Sequence, residues 1–406
     1  MPRPTPHPMT VIGPGIVIAA TGVGAGDLIA ASTAGASFGT AVLWAVLLGA
    51  ILKFFLNEGI ARWQLGSGTT LLEGWKRHLP AAGYLFFAFL LLWSFMVAGA
   101  LINACALAAH TLVPSVPLPA WGILHSLAAL ALVWLGRYRG LERLMKAVIA
   151  AMFAVVVVCA VSLNPPPGPL ASGLFIPRVP GGALPLILGL MGGIGGSLTV
   201  LCYAYWIREK GWRDPKMLRW VRLDLIVAYT LTAAFGVAMV VIASRTGVEG
   251  ARDSRIILNL ATLLQEQLGS WGRSLFLFGF WAAVFSSMLG VWNGVPYLFA
   301  DFFRKADDPT PLDRTLAYRG FLLFLAIPPL LLLLVNRPVW IIILYAILGA
   351  FFMPFLAATL LWLNNRSALV GPLRNSWIQN LGLTLSLLLF SVLAVMEVLR
   401  RLGPGG

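Results

Sequence analysis

The chain has 406 residues, of which 59% are hydrophobic and only 11% charged, against about 25% charged in ordinary soluble domains. A soluble globule of this length cannot hide that much apolar surface, and repeated apolar runs of the ~20 residues needed to cross a bilayer as helix define an all-α integral membrane protein. The formal net charge of +14 is spread along the connections between those runs, so it reads as contact with lipid headgroups rather than as a nucleic-acid footprint.

The N-terminal stretch MPRPTPHPMT is short and proline-rich and leads straight into an apolar segment. No small-residue cleavage site follows a short apolar core, so no removed signal peptide is expected. The hydropathy pattern predicts about eleven membrane helices, at 11–37, 41–63, 82–110, 119–135, 143–163, 182–207, 223–243, 271–300, 318–335, 338–364 and 376–400. The first is interrupted: ATGVGAGDLIAAS sets Gly22, Gly24 and Gly26 ahead of Asp27 near mid-bilayer. Glycine costs about 1 kcal/mol in a helix relative to alanine, so such a cluster marks a place where helix gives way. Gly22 and Gly26 also have the spacing of close helix packing, which explains the glycines but not the carboxylate beside them. A carboxylate at that depth costs at least ~3 kcal/mol on insertion scales and is by default a functional group with a cation as partner. A protonated Asp27 bonded to a neighbouring helix is the structural alternative.

The second span contains FFLNEGIARW, with Lys53 five residues before Glu58 and Arg62 four after it. Pairing of Glu58 with Arg62 one helical turn away accounts for the acid structurally; gating or ion relay is the functional alternative. The third span, LLWSFMVAGALINACALAAHTL, has no acid. The sixth repeats the interruption of the first, since GLMGGIGGSLTV puts Gly192, Gly193, Gly195 and Gly196 ahead of Ser197. Neither run is a nucleotide loop: the first lacks a preceding strand and the second a lysine. The long polar connection 244–270 ends in a segment that fits a short amphipathic external helix. In the eighth span, VFSSMLGVWNG places Ser286 and Ser287 to ligate sodium against carbonyls of the first break. Membrane serines more often bond across helices or back to their own backbone. Asn293 is a further gating or relay candidate, while Asp224 and Asp301, near span ends, read as interfacial charges.

Most of the 29 Lys and Arg residues fall in alternate connections, around 62–77, 137–146, 208–222, 304–319 and 366–374. Basic residues are retained on the cytoplasmic side, which predicts a cytoplasmic N-terminus and, for an odd number of spans, an external C-terminus. Cys105, Cys159 and Cys202 each lie in an apolar run, and neither they nor His7, His78, His110 and His125 show disulfide or zinc spacing. No cofactor motif and no nucleophile–base pair is present, so an enzyme is not expected. One break in the first span and one in the sixth points to a single transmembrane domain, 1–406, built of inverted five-helix halves. These are 11–163 and 182–364, with 376–400 as an additional helix. The substrate of such a protein lies between the breaks, where unwound carbonyls and half-helix ends coordinate ions.

Residues 13–39, GPGIVIAATGVGAGDLIAASTAGASFG, resemble the opening helix of the Nramp (natural resistance-associated macrophage protein) divalent-metal transporters. The match lies in Gly13-Pro14-Gly15 at the start, in Ala34-Gly35-Ala36 with Phe38-Gly39 at the end, and in the span count. The resemblance implies a leucine-transporter-type inverted 5+5 repeat with a metal site at broken helices 1 and 6. It also exposes departures. Family members carry Asp-Pro-Gly-Asn at the first break, both polar residues binding metal, where this chain has Gly24-Ala25-Gly26-Asp27. Their sixth helix carries a methionine ligand followed by Pro-His, where this chain has Gly195-Gly196-Ser197-Leu198. The acids of their third helix, which form a proton path in proton-coupled members, are missing here.

A thioether favours softer transition metals, whereas carboxylate, carbonyl and water favour Mg²⁺, Ca²⁺ or Mn²⁺. Asp27, the backbone of Gly24, Ser197 and retained water therefore suit a hard, partly hydrated ion. The expectation is a divalent-cation transporter or facilitator of the cytoplasmic membrane, working by alternating access without proton coupling. Gly24, Asp27, Gly195, Gly196, Ser197, Ser286 and Ser287 would surround its ion. Two other readings stay open. One is sodium-coupled transport of a small organic solute such as an amino acid, with sodium at Ser286 and Ser287. The other is a non-transporting sensor on the same scaffold, of the kind that usually carries an appended soluble signalling domain.

Overall fold

In the computed structural model, residues 13–136, 138–245, 255–304, 310–335 and 338–402 are described, and every regular element among them is helical. The first span comes in two pieces, α1 (Pro14–Gly22) and α2 (Ala25–Phe38), parted only by Val23 and Gly24. Proline suits the first helical position, where its missing N–H has no partner to lose. A tight turn at Gly39–Val42 leads into α3 (Leu43–Ser67). The short α4 (Leu71–His78) opens on a capping box in which Thr70 and Glu73 each accept the other's backbone N–H. Then come α5 (Pro80–Leu112), α6 (Leu118–Leu135), α7 (Tyr138–Ser162) and the short α8 (Pro167–Phe175).

The sixth span is broken as well. α9 (Leu184–Gly193) stops, four residues run without helix, and a turn at Leu198–Leu201 starts α10 (Cys202–Glu209). The chain continues through α11 (Leu218–Ala243), α12 (Arg255–Leu268), α13 (Ser270–Phe303) and α14 (Leu316–Ala326). Pro328 and Pro329, which lack amides, end α14 and tighten the rest of that crossing into a 3₁₀ helix, Pro328–Val335. The last crossings are α15 (Pro338–Asn364) and α16 (Trp377–Leu402). Nine helical stretches among the described residues are by themselves long and apolar enough to cross a bilayer. This agrees approximately with the eleven expected spans: Leu28–Ser67 runs through two of them in one stretch, and α15 contributes Phe351–Asn364, a shorter apolar run among the described residues.

Burial orders these helices from centre to rim. The apolar windows of α5 and α13 are 61% and 78% buried, whereas those of α6 and α16 are 28% and 24% buried. The first pair therefore forms the core, and the second shows lipid such side chains as Leu124 and Leu388. α11 packs against both halves of the first span, and α15 against α5 and α16. The expected external helix is α12, whose buried Ile257, Leu260, Ala261 and Leu264 recur at helical spacing and seat it on α13; residues 246–254 before it lie outside the described part.

Asp224 and Asp301 correct the reading of interfacial charges, for both are fully buried. Asp224 receives the amides of Gly13 and Gly15 at 3.1 and 2.6 Å and the Tyr203 hydroxyl at 2.9 Å, so it caps α1 from a distant helix. Asp301 receives the hydroxyls of Thr70 and Tyr205 at 2.6 and 2.7 Å. Short-range sequence shows the charge but not the polar groups that the fold brings to it.

Candidate ion site at the two interrupted helices

The two interruptions touch. At the sixth-span break Gly195 and Gly196 have φ of +79° and +82°, the left-handed region that only glycine enters cheaply. That double reversal turns the backbone across the first break. A Cβ on Gly22 would lie 2.6 Å from the carbonyl carbon of Gly195, and one on Gly196 would meet the Cα of Gly22 at 3.2 Å. Gly195 is also held bare by the Tyr229 ring, 2.7 Å from where its Cβ would stand. Glycine here serves both purposes weighed from the sequence, close packing and release from the helix.

Between the breaks lies a cavity of about 30 Å³. The first span lines it with Thr21, Gly22, Gly24 and Gly26, and the sixth with Gly192, Gly193, Gly196, Ser197 and Thr199. α5 adds Trp93 and Val97, α13 adds Ser287 and Val291, and α15 adds Tyr345. α15 closes it tightly. The Tyr345 hydroxyl accepts the Gly26 amide at 3.0 Å, and a Cβ on Gly349 would stand 2.5 Å from that of Ser197. Among the described residues, two buried polar groups of the lining have no protein partner, the Thr199 hydroxyl and the Trp93 indole N–H. Such groups are costly unless something bonds them. Among the described residues no group of three or more His, Cys, Asp or Glu side chains exists that could hold a metal. The ligands the cavity offers a cation are oxygens of backbone and hydroxyl groups.

The structure brings Gly24, Gly196, Ser197 and Ser287 together around the cavity, with Gly195 directly behind it. Asp27 is the third residue of α2, but its side chain lies outside the described part. Ser287 donates to the Thr21 carbonyl at 2.7 Å; Ser286 donates to Ala283 within its own helix at 2.9 Å and reaches the Ala20 carbonyl at 3.3 Å. These are the cross-helix and backbone bonds expected of membrane serines, and they tie α13 to the carbonyls that end α1.

Glu58 and Asn293 do not line the cavity. Glu58 is clamped by Arg62, at 3.1 and 2.5 Å, and by Arg222 at 3.0 Å, so the expected pairing exists with a second arginine added from α11. Asn293 accepts the Trp206 indole N–H at 2.9 Å, and its carbonyl accepts the Tyr318 hydroxyl at 2.9 Å, fastening α10 and α14 to α13.

Sequence reasoning missed Lys53. Its side chain is fully buried in α3, and its ammonium donates to the carbonyl of Gly192 at 3.1 Å and to that of Gly196. In the linear sequence it is one basic residue inside an apolar span, and its carbonyl partners lie 139 and 143 residues away.

Two broken helices that meet at a small cavity and are braced by continuous helices define a broken-helix membrane transporter fold of the leucine-transporter type. A manganese transporter of Eremococcus coleocola superposes with a TM-score of 0.80 over 98% of this chain and 89% of its own, at 17% identity. MhsT, in complex with L-phenylalanine, superposes at 0.55 over 96% and 97%, also at 17% identity. Within that class the sequence is more specific. The model of the family described as natural resistance-associated macrophage protein-like, Nramp, matches residues 15–400, and the chain belongs to that family. A divalent metal cation transporter, MntH, of Mycobacterium tuberculosis is 27% identical over 299 residues, 70% of this chain and 68% of that protein. The MntH of Klebsiella pneumoniae is 24% identical over 402 residues, 92% and 90% of the two chains.

Proposed function

We propose that the chain moves a hard divalent cation, Mg²⁺ or Mn²⁺, across the cytoplasmic membrane by alternating access around the two breaks, without coupling to protons. The observation that carries this is the cavity of about 30 Å³ between the breaks, whose lining residues offer a cation backbone and hydroxyl oxygens. A water-sized occupant needs at least about 10–15 Å³, whereas organic ligands occupy pockets of ~300 Å³ or more. The space suits an ion with a water molecule, not an amino acid. Hydroxyl and carbonyl oxygen select hard cations. The Trp93 N–H cannot ligate a cation, but it can donate to a water that the ion retains, which would satisfy an otherwise orphaned donor.

In this reading Asp27, the Gly24 backbone and Ser197 are the principal ligands, and Gly195, Gly196 and Ser287 shape the site. Residues 11–163 and 182–364 are the two inverted repeats and 376–400 the additional helix. The N-terminus faces the cytoplasm and the C-terminus the exterior. The divalent specificity is in keeping with the relatives called divalent metal cation transporters.

The test is a thermal-shift panel on detergent-solubilised protein with Mg²⁺, Ca²⁺, Mn²⁺, Fe²⁺, Na⁺ and a set of amino acids. A ligand at 100 times its Kd adds about 2.7 kcal/mol of stability, so the cargo reveals itself as a rise in melting temperature. Stabilisation by Mg²⁺ or Mn²⁺ is expected. Stabilisation by an amino acid in the presence of Na⁺, with the divalent ions inert, would replace this function by sodium-coupled solute transport.

A further inference from the structure

Lys53 is a cation that the fold has already built into the junction. A buried ammonium persists only where its charge and its three N–H groups are matched. Here Nζ donates to the carbonyls of Gly192 and Gly196, and the Phe390 ring of α16 faces it with its centroid at 5.7 Å. Gly192 belongs to the last turn of α9, where carbonyls run out of amide partners and the helix dipole leaves partial negative charge. Gly196 owes its position to its positive φ. Carbonyls of unwound backbone and half-helix C-termini are the groups with which a broken membrane helix coordinates a cation. Add an aromatic face, and the surroundings are those of a bound ammonium ion. The two glycines that supply these carbonyls also line the cavity.

We propose that Lys53 is a tethered cation that occupies the sixth-helix half of the ion site and thereby sets its affinity and selectivity. The inference rests on the proposed transport of a divalent ion through this cavity. The carbonyls of Gly192 and Gly196 are engaged by the ammonium, so an entering ion is held by the first-helix side and Ser197 without them, against the repulsion of a fixed positive charge. Binding is weakened and the ion keeps water in place of the carbonyls. Removing the charge while keeping the chain length frees those carbonyls and lifts the repulsion together.

Isothermal titration of Mn²⁺ and Mg²⁺ into purified wild type and Lys53→Met decides the matter. The expected result is a Kd at least tenfold lower in Lys53→Met, while Lys53→Arg, which keeps the charge, stays as weak as wild type. If Lys53→Met is not monodisperse, Lys53→Gln takes its place, because its amide still donates to the carbonyls without the charge, and the same gain is expected. A strut that merely joined α3 to α9 would lower the melting temperature of these variants without tightening ion binding. An unchanged or higher Kd in a folded, uncharged variant therefore overturns the inference and leaves the proposed function standing if wild type binds the ion. A wild type that binds no divalent ion, with uncharged variants that do, supports the tethered cation and removes the proposed cargo. If neither binds, both fail.

Discussion

Asp27 stands in the first turn of α2, where the start of a half-helix favours negative charge, one residue from the Gly26 that lines the cavity. If it is the principal side-chain ligand, Asp27→Ala abolishes saturable uptake into proteoliposomes while expression and melting temperature hold, because only the ion loses a partner. Asp27→Asn binds more weakly but keeps some transport, since an amide oxygen still coordinates. Normal uptake by a poorly folded Asp27→Ala would make the residue structural. Asp27 draws attention in the sequence for a local reason: an acid beside a glycine cluster in an apolar run is anomalous on its face. Gly24, Gly196 and Ser197 stood out in the same way, and all three line the cavity. Lys53 and Asp224 were not legible in their roles, because their partners are remote in sequence. Asp224 looks like an end-of-span charge until the fold brings it Gly13 and Gly15, 211 and 209 residues distant. No periodicity encodes such pairs.

The interrupted helices were readable as elements, but their extent was not. Helix was expected to fail over 22–26, yet it fails only at Val23 and Gly24, because the Gly24 amide turns back to the Gly22 carbonyl at 3.0 Å and the Leu28 amide already reaches Gly24 at 3.1 Å. The sixth span loses more, through two consecutive positive-φ glycines. A Cβ there is strained whatever the space, by ~1–2 kcal/mol, and on Gly196 it would also stand 2.4 Å from the Thr199 hydroxyl. Gly196→Ala is expected to lower the melting temperature and impair uptake, whereas Gly189→Ala, a glycine with open space around its Cβ position, does neither; equal behaviour of the two would refute the strained junction. The start of α1 supplies a second test. Asp224→Ala leaves the amides of Gly13 and Gly15 without their acceptor, and hydrogen bonds to a charged group are worth about 1.5–3 kcal/mol each. A clear drop in melting temperature is expected, with α1 becoming accessible to protease from its N-terminal end. Unchanged resistance would show that α1 is held by packing alone.

At the scale of the whole molecule, the buried acids among the described residues sit with fixed partners, close to the connections that carry the basic residues. Glu58 is clamped by Arg62 and Arg222, and Glu142 by Lys146 and Lys210 at 2.7 and 2.9 Å. Asp224 caps α1, and Asp301 holds Thr70 and Tyr205. Breaking a buried ion pair by neutralising one member costs ~3–5 kcal/mol, so Glu58 and Glu142 are poor carriers for a proton that must come and go in every cycle, and Asp224 and Asp301 are engaged by hydrogen-bond donors. A proton path also needs titratable groups leading from the ion to bulk water. The helix expected to provide them, α5, carries no acid along Pro80–Leu112, and its one histidine, His110, stands in the last turn. The cation should therefore cross with its charge uncompensated. In proteoliposomes loaded with a metal-quenched dye and a pH-sensitive dye, metal entry is expected to quench the first and leave the second unchanged. An imposed pH gradient should not accelerate uptake, while a negative-inside potential should. Stoichiometric acidification of the lumen as the metal enters would sink this expectation. The proton would then have to travel through one of the clamped acids, with Glu58→Gln and Asp301→Asn as the first variants to examine for loss of the acid signal.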